Sequence, residues 1–414
     1  MNAPTSPPVA LPLPLRTLRP AARLPLLCTP AADLARFTVD GSPELEQHLA
    51  RTCERIAAGV RGLIPRRKLE TILLGGGYGR GEGGVWRTPA GDRPYNDLEF
   101  YVCIRGNRHL NELRFGRTLH VLGEILTPQA GIEVEFKITS LHEIASSPVS
   151  MFSYDLLVGH FQLIGDTTVL SRCAHHRDAS RIPLAEATRL LMNRCSGLLF
   201  ARERLLQPEF TPGDADFVQR NIAKAQLALG DALLVMDGQY HASARERHRH
   251  LERLARVESM PWLRAVAEHH ARGVQFKLHP ERSMASQSEL DRVHNVVTDL
   301  ARTVFLALES QRLRTPFAAA RDYATHPVEK CAKARRLRTA LITAKVLGVR
   351  TVFSSEARRH PRERILHALA LLLWEPTALA VPVLVSRIQR ELQTTANTFP
   401  ELMSAYRRLW GQVN

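Results

Sequence analysis

Apolar and polar positions follow two different periods along this chain, and the change falls near residue 172. Before it, short apolar runs typical of strands alternate with helical patterns. After it, apolar residues recur at three- and four-residue spacing almost to the end, which is the period of helices packed through one face. The pattern predicts a mixed α/β region followed by an all-helical region.

Strands are predicted where apolar runs end at glycines or alternate with acids. The predicted strands cover 71–74, 97–104, 132–138 and 161–164, and two helices in the same region cover 42–63 and 110–126. Ser42 is a suitable N-cap for the first helix, and Pro65 ends it. A Gly- and Pro-containing stretch up to Tyr95 separates the first two strands and is expected to form a loop.

The helical region predicts helices over 184–206, 214–237, 243–256, 286–311, 328–347, 362–373, 378–394 and 399–410. The expected fold class is therefore α+β. The expected domains are a Pro-rich arm at 1–40, an α/β domain at 41–172 and a helical domain at 173–414. A break near 273–285 would divide the helical domain in two.

Composition narrows the class of protein without identifying a function. Hydrophobic residues make up 44% of the 414 residues and charged residues 23%, which is ordinary for a soluble globular protein. No run approaches the roughly 20 uncharged apolar residues that a membrane span requires. The six cysteines include no C-x-x-C pair, a pattern that favours reduced thiols. A cytoplasmic protein without a membrane partner is expected.

Positive charge is concentrated in one part of the helical region. The chain carries 56 Lys and Arg against 41 Asp and Glu, a net charge of +15. Segment 327–364 alone has eleven Lys or Arg and three Glu, so it contributes +8. A basic segment of this density makes a nucleic-acid partner plausible, through phosphate contacts that do not depend on sequence.

The glycine-rich stretch LGGGYGRGEGG at 74–84 is the strongest chemical signal. A P-loop is excluded because no Lys-Ser or Lys-Thr follows the glycines. A protein kinase is excluded because the chain has no D-F-G. A dinucleotide-binding motif matches at 79–84, but the following residues lack a helical period, and Asp97 and Glu99 begin a strand rather than ending one.

Two-metal nucleotidyl transfer explains the glycines and the acids together. This chemistry requires carboxylates that converge on one point and hold divalent cations. Asp97 and Glu99 are two residues apart on a strand, so both project from one face, and Glu135 on a later strand can supply a third ligand. The glycine turn lets backbone N–H groups approach a triphosphate, and Arg80 within it can neutralise phosphate oxygens.

These features, in this order, resemble the DNA-polymerase-β nucleotidyltransferase superfamily. Gly76-Gly77 stands for the family's G-[GS] turn, Asp97-Leu98-Glu99 for its D-x-[DE] motif and Glu135 for its third acid. The run 77–82 is also similar to the G-S-x-x-R-G-[DE] form of small bacterial nucleotidyltransferases. The similarity covers about 68–170, with a weaker echo at 224–231.

The resemblance implies an enzyme that moves NMP from an NTP, with ATP expected, to a hydroxyl of an unidentified acceptor and releases pyrophosphate. It implies Mg²⁺ or Mn²⁺ held by Asp97, Glu99 and Glu135, which are also the implied catalytic residues. The implied nucleotide-binding residues are Gly76, Gly77, Tyr78, Arg80 and Lys224. The alternative is a catalytically inactive nucleotide- or RNA-binding regulatory protein with the same fold.

The chain departs from the family pattern in three ways. Gly77 replaces the serine of the turn, and the gap from Gly77 to Asp97 is longer, which implies an inserted loop. Glu replaces Asp at the second and third acids, and Glu133 competes with Glu135 for the last role.

Other candidates have less specific patterns. Lys224 and Asp231, with Asn193 and Arg194 on the preceding helix, are candidates for phosphate or acceptor contacts, or for ordinary salt bridges. Glu82 has either a structural or a site role. The sequence favours a surface loop over a metal site for Cys173, His175 and His176. Arg321 and His326 fit the R-x4-H pattern of helical HEPN ribonucleases, a two-residue pattern that arises easily by chance in an Arg-rich chain.

Overall fold

A computed structural model of the chain describes residues 36–258, 260–331, 336–348, 359–375 and 377–413. The described chain divides into two compact units, one within Ala32–Ala301 and the other within Arg302–Asn414. The first unit contains all the strands of the described chain and the candidate site. The second unit is helical.

Six strands are described: β1 (Leu69–Leu74), β2 (Gly84–Thr88), β3 (Gly91–Tyr95), β4 (Asp97–Ile104), β5 (Glu133–Thr139) and β6 (Phe161–Ile164). Four of them form one sheet in the order β5-β4-β1-β6, while β2 and β3 form a separate hairpin. Strands β4 and β5 are parallel, and β1 is antiparallel to both β4 and β6. The mixed α/β class expected from the sequence is confirmed.

The helices that lie within the first unit are α1 (Pro43–Leu63), α2 (Gly76–Gly79), α3 (Arg108–Ala130), α4 (Leu141–Ser146), α5 (Met151–Val158), α6 (Leu184–Leu205), α7 (Pro212–Met236), α8 (Ala244–Val257) and α9 (Pro261–Leu278). Helix α10 (Gln287–Leu313) crosses into the second unit. That unit also contains α11 (Ala320–Thr325), α12 (Arg336–Leu347), α13 (Pro361–Trp374), α14 (Pro382–Leu392) and α15 (Phe399–Val413).

Alternation along β4 separates the two faces of the sheet. Leu98, Phe100 and Val102 point into a core that includes residues of α1 and α3. Tyr101 and Cys103 point to the opposite face, where residues of α4 and α5 cover them. The acids at the start of β4 share this second face. Helix α1 contributes to the first of these cores. Ser42 caps α1 by accepting a hydrogen bond from the Leu45 N–H group, as the sequence predicted.

The expected loop between the first two strands is instead the β2–β3 hairpin. Val85 pairs with Pro94, and Thr88 pairs with Gly91 across a turn, where Gly91 has a φ of 109°. Proline weakens a strand prediction because it has no N–H group to donate to a neighbouring strand. In a two-stranded hairpin the outer edge of each strand has no neighbouring strand, so proline is tolerated there. The inserted segment is therefore ordered.

The compact units do not follow the expected domain boundaries. The first unit extends past residue 172 to residue 301 and includes helices that were expected in the helical domain. Near the expected break at 273–285, helix α9 continues to Leu278. The sequence pattern gave no helix over α9, because His269 and His270 occupy buried positions that a hydrophobic period would fill with apolar residues.

In the second unit, ionic side chains pack among the helices. Tyr323 donates a hydrogen bond to Glu309 (2.8 Å), which also pairs with Arg312, and Lys330 is buried beside the Tyr323 ring. Among the described helices of the chain, none has the length and apolar character needed to cross a membrane.

Candidate active site

Three carboxylates meet at the start of two adjacent parallel strands. Asp97 is the first residue of β4, and the register places Glu99 directly beside Glu135 of β5. Because residues two apart share a face, all three side chains project from the same side of the sheet. One oxygen from each lies within 4.8 Å of the others. We call Asp97, Glu99 and Glu135 the acid cluster.

The acid cluster fits a divalent cation. Carboxylate oxygens are the ligands that Mg²⁺ and Mn²⁺ prefer. Within the described residues, no group donates a hydrogen bond to the Asp97 side chain or forms an ion pair with it. Glu133 pairs with Asp97 in the strand register but lies outside the cluster, so the structure places Glu135 rather than Glu133 with the other two acids.

Lys137 also belongs to this site and was not among the residues predicted from the sequence. Its ammonium lies 2.6 Å from a Glu99 oxygen and 3.1 Å from a Glu135 oxygen. It also lies 5.8 Å from the centroid of the Tyr101 ring, which is its neighbour in the strand register. A signal was available, because Lys137 follows Glu135 by two residues and must share its face.

Electrostatics at the site reflect crowding of like charge. Burial raises the pKa of Asp97, and the charges of Glu99 and Glu135 raise it further. Burial acts to lower the pKa of Lys137, but its hydrogen bond to Glu99 and its attraction to the acids raise it well above its usual range. Burial and Glu99 raise the pKa of Tyr101 to about 12. Lys137 thus neutralises one of the three acidic charges.

The glycine turn lies directly against the acid cluster. The Gly75 N–H group donates to the Glu99 carbonyl (2.9 Å), and Gly76 has a φ of 62°, which favours glycine. A Cβ atom at Gly77 would lie 2.9 Å from the Glu82 carbonyl oxygen, so this turn has no room for the serine of the family pattern. No acceptor in the described chain takes a hydrogen bond from the Gly76 or Gly77 N–H group.

Lys224 of α7 lies within electrostatic range of Asp97 and of two further cations, Arg194 of α6 and Arg220 of α7. Desolvation lowers the pKa of Lys224, and Arg194 and Arg220 lower it further, while Asp97 acts in the opposite direction. The charges of the other three side chains therefore all act on Lys224. Neither the Arg194 nor the Lys224 side chain makes an ion pair or hydrogen bond with any described residue. We call Arg194, Arg220 and Lys224 the cation row.

Two of the expected nucleotide-binding side chains have roles within the fold instead. The Tyr78 ring is buried, and its hydroxyl bonds to the Gly84 carbonyl (2.8 Å) and to the Tyr95 backbone of the β2–β3 hairpin. Only the backbone of Tyr78 remains for a ligand. The Arg80 side chain is 12% exposed and lies 3.9 Å from Asp155, a pairing across 75 residues that the sequence did not reveal.

Arg80 belongs to a larger set of six ionic residues behind the glycine turn. We call Arg80, Glu82, Asp155, Asp231, Arg247 and Lys277 the buried charged group. Arg247 pairs with Asp231 at 2.6 Å, and the Tyr240 hydroxyl donates to Asp155 at 3.2 Å. Burial acts to raise the pKa of Asp231, but Arg247 and His270 outweigh it and lower the pKa. The three cations and three anions balance.

Glu82 has a structural role in this group. Its carboxylate accepts hydrogen bonds from the Ser243 hydroxyl (2.6 Å) and from the N–H groups of Ala244 (2.8 Å) and Arg245 (3.3 Å). These residues begin α8, so Glu82 caps that helix and ties it to the glycine turn. Asp231, which the sequence offered as a candidate for acceptor contacts or for a salt bridge, forms a salt bridge with Arg247.

The remaining candidates lie apart from the acid cluster. Cys173 and His176 are fully buried and bond to backbone carbonyls near α4, so the expected surface loop is wrong. Among the described residues, the acid cluster is the one group of His, Cys, Asp and Glu arranged to hold a metal. Arg321 pairs with Glu375, whereas the ring of His326 bonds to the Val328 N–H group.

Part of the basic segment 327–364 is used inside the second unit. Lys330 is buried and donates to the His326 carbonyl (2.6 Å), Arg362 donates to the Val413 carbonyl and Arg364 to the Arg390 carbonyl. Residues 332–335 and 349–358 of this segment lie outside the described residues. The nucleic-acid partner stays a prediction.

In three comparisons with known proteins, no family model, no curated protein and no solved structure matched this chain.

Proposed function

We propose that this chain is a divalent-metal-dependent nucleotidyltransferase that moves NMP from an NTP, with ATP expected, to a hydroxyl of an acceptor. The convergence of Asp97, Glu99 and Glu135 within 4.8 Å at the strand ends is the observation that carries the proposal. The free N–H groups of the glycine turn and the cation row add a complementary place for a triphosphate.

In the proposed reaction, the acceptor hydroxyl oxygen attacks the α-phosphorus of the NTP. A new P–O bond forms, the bond from the α-phosphorus to the bridging oxygen breaks, and pyrophosphate leaves with the bonding electrons. Glu135 takes the hydroxyl proton, while Lys224 and Arg194 offset charge on the triphosphate. A bound Mg²⁺ or Mn²⁺ would be held by the acid cluster and would supply Lewis-acid stabilisation of phosphate charge.

Loss of one carboxylate from the acid cluster tests the proposal. Purified protein is incubated with each of the four α-labelled NTPs, Mg²⁺ or Mn²⁺ and a cell extract, and labelled products are separated by size. Asp97→Asn and Glu135→Gln should reduce label transfer at least about 10³-fold, because several kcal/mol of charge stabilisation are lost. Glu133→Gln, a matched change outside the cluster, should retain transfer. Equal labelling by wild type and Asp97→Asn would falsify the proposal.

A second candidate function is favoured by Lys137. Its ammonium pairs with both Glu99 and Glu135 and offsets one of their two charges, which would weaken metal binding in a protein that binds a nucleotide without turning it over. Such a regulator would bind NTP with the same affinity in EDTA and in Mg²⁺, and would label no acceptor. The same labelled-NTP assay, run beside equilibrium binding in both buffers, separates the two functions.

A further inference from the structure

A cleft of about 300 Å³ adjoins the acid cluster and shares only Arg220 with the residues used above. The β2–β3 hairpin forms one wall with Trp86 and Tyr95, and Arg220 of α7 forms another. The remaining wall includes Ile132 at the entry to β5, with Pro280 and Arg282 after α9. All of these residues belong to the first compact unit.

Chain connections place this cleft next to the reacting groups. Asn96 and Ile132 line the cleft, and the residues that follow them, Asp97 and Glu133, begin β4 and β5. Arg220 also lines it and lies one helical turn before Lys224, so their side chains share a face of α7. A molecule whose phosphates contact the cation row can therefore extend its other end into the cleft.

The lining is unsuited to phosphate but suited to a planar ring. Its four ionic residues, Asp216, Arg220, Glu281 and Arg282, sum to zero charge. The Arg282 guanidinium lies over the Trp86 ring, 5.6 Å from its centroid, and both flat groups are surfaces on which nucleobases stack. Asn96 and the ionic side chains offer hydrogen-bond donors and acceptors beside apolar Ile132. The volume is at the small end for ligand sites, enough for one nucleoside.

We propose that this cleft binds a nucleobase, stacked on the Trp86 and Arg282 pair, of a nucleotide whose phosphates lie at the cation row. The inference rests on the proposed function. The base belongs either to the NTP or to the terminal nucleotide of a nucleic-acid acceptor, since both present the same ring beside a phosphate. The hairpin inserted between the glycine turn and β4 is the element that builds this recognition surface.

Binding measurements that separate the base from the phosphates test the proposal. The full chain is titrated by calorimetry, in Ca²⁺ to prevent turnover, with inorganic triphosphate, with each NTP and with a short single-stranded RNA. Trp86→Leu and Arg282→Gln should each weaken binding of an NTP, or of the RNA, about tenfold and leave inorganic triphosphate unchanged. Arg282 is exposed, so its variant is expected to fold normally.

Trp262→Leu is the matched control, because Trp262 is also partly buried but lies on α9 away from the cleft lining. It should bind all ligands as wild type does. Weakened NTP binding assigns the base to the NTP, and weakened RNA binding alone assigns it to the acceptor; either result supports the cleft. Unchanged binding in both cleft variants, or an equal loss for triphosphate, overturns it. Wild type that binds no triphosphate at all refutes the proposed function instead.

Discussion

The first unit contains two groups of ionic residues that differ in balance. The buried charged group has three cations and three anions, with Arg247 and Asp231 2.6 Å apart and both almost fully buried. The acid cluster has three anions, of which Lys137 pairs with two, and its Asp97 makes no ion pair with any residue of the described chain. Members of the buried charged group pair with one another, whereas the excess negative charge at the acid cluster is what a site for a cation would need.

Breaking the balanced group should give the largest loss of stability. Arg247→Met removes the closer of the two partners of Asp231 and leaves this buried carboxylate with His270 alone, at 3.3 Å, which should cost about 3 kcal/mol. Urea denaturation at pH 7, followed by circular dichroism, measures the change. Arg194→Met is the matched control, because Arg194 has no ion pair among the described residues and its loss should cost less than about 1 kcal/mol. Equal losses in the two variants would show that the buried pair contributes nothing specific.

Lys277 is the member of the buried charged group whose charge is least well compensated. Its ammonium makes no hydrogen bond within the described residues, and burial with the nearby charge of Arg80 lowers its pKa to about 8. An unfolded lysine has a pKa near 10.4, so below pH 8 the folded state bears the full cost of the buried ammonium. Lys277→Met should therefore raise the free energy of unfolding at pH 7 by about 1–3 kcal/mol.

The pH dependence provides the control for Lys277. Between pH 8 and about 10.4 the folded state releases the proton and the unfolded state retains it, so wild type regains stability as pH rises. The advantage of Lys277→Met should shrink from pH 7 to pH 9.5, as measured by urea denaturation. An advantage that is constant over this range would mean that the buried charge is not its cause.

At the acid cluster, removal of Lys137 should make the electrostatic potential more negative. Its ammonium competes with a divalent cation for Glu99 and Glu135, so Lys137→Gln should tighten Mn²⁺ binding about tenfold. Calorimetric titration with Mn²⁺ alone measures this without any turnover. Lys68→Gln makes the same charge change beside the end of β1 that pairs with Ile104, far from Asp97 along β4. Weaker Mn²⁺ binding in Lys137→Gln would mean that the lysine positions the carboxylates instead.

The two groups also differ in how far the sequence predicted them. Alternation along 97–104 and 132–138 placed Asp97, Glu99 and Glu135 on one face, because period-2 geometry is a local property. The same alternation contained Lys137, but its pairing across strands required the register. The partner of Arg80, in contrast, is 75 residues away and follows from tertiary packing alone.

The fold shows a similar limit. Helix and strand bounds agreed with the local pattern to within a few residues at α1, β4, β6 and α6. The β2–β3 hairpin did not follow from it, because Pro94 weakens the strand signal. Helix α9 did not either, because buried His269 and His270 replace apolar residues at core positions. Sequence patterns report local periodicity, and these elements depend on partners supplied by the rest of the unit.

The smallest expected effect is on the free energy of unfolding of an acid-cluster variant, and it should depend on the divalent cation. Without metal, Asp97 is repelled by two like charges within 4.8 Å, so Asp97→Asn should raise the free energy of unfolding by roughly 1 kcal/mol in EDTA. In excess Mg²⁺ or Mn²⁺ the order should reverse, because a cation that binds the folded wild type stabilises it and the variant lacks a ligand for that cation. Thermal unfolding of both proteins in the two buffers measures this. A variant that is more stable by the same amount in both buffers would mean that the acid cluster repels itself without holding a cation, which is the behaviour expected of the regulator rather than of the enzyme.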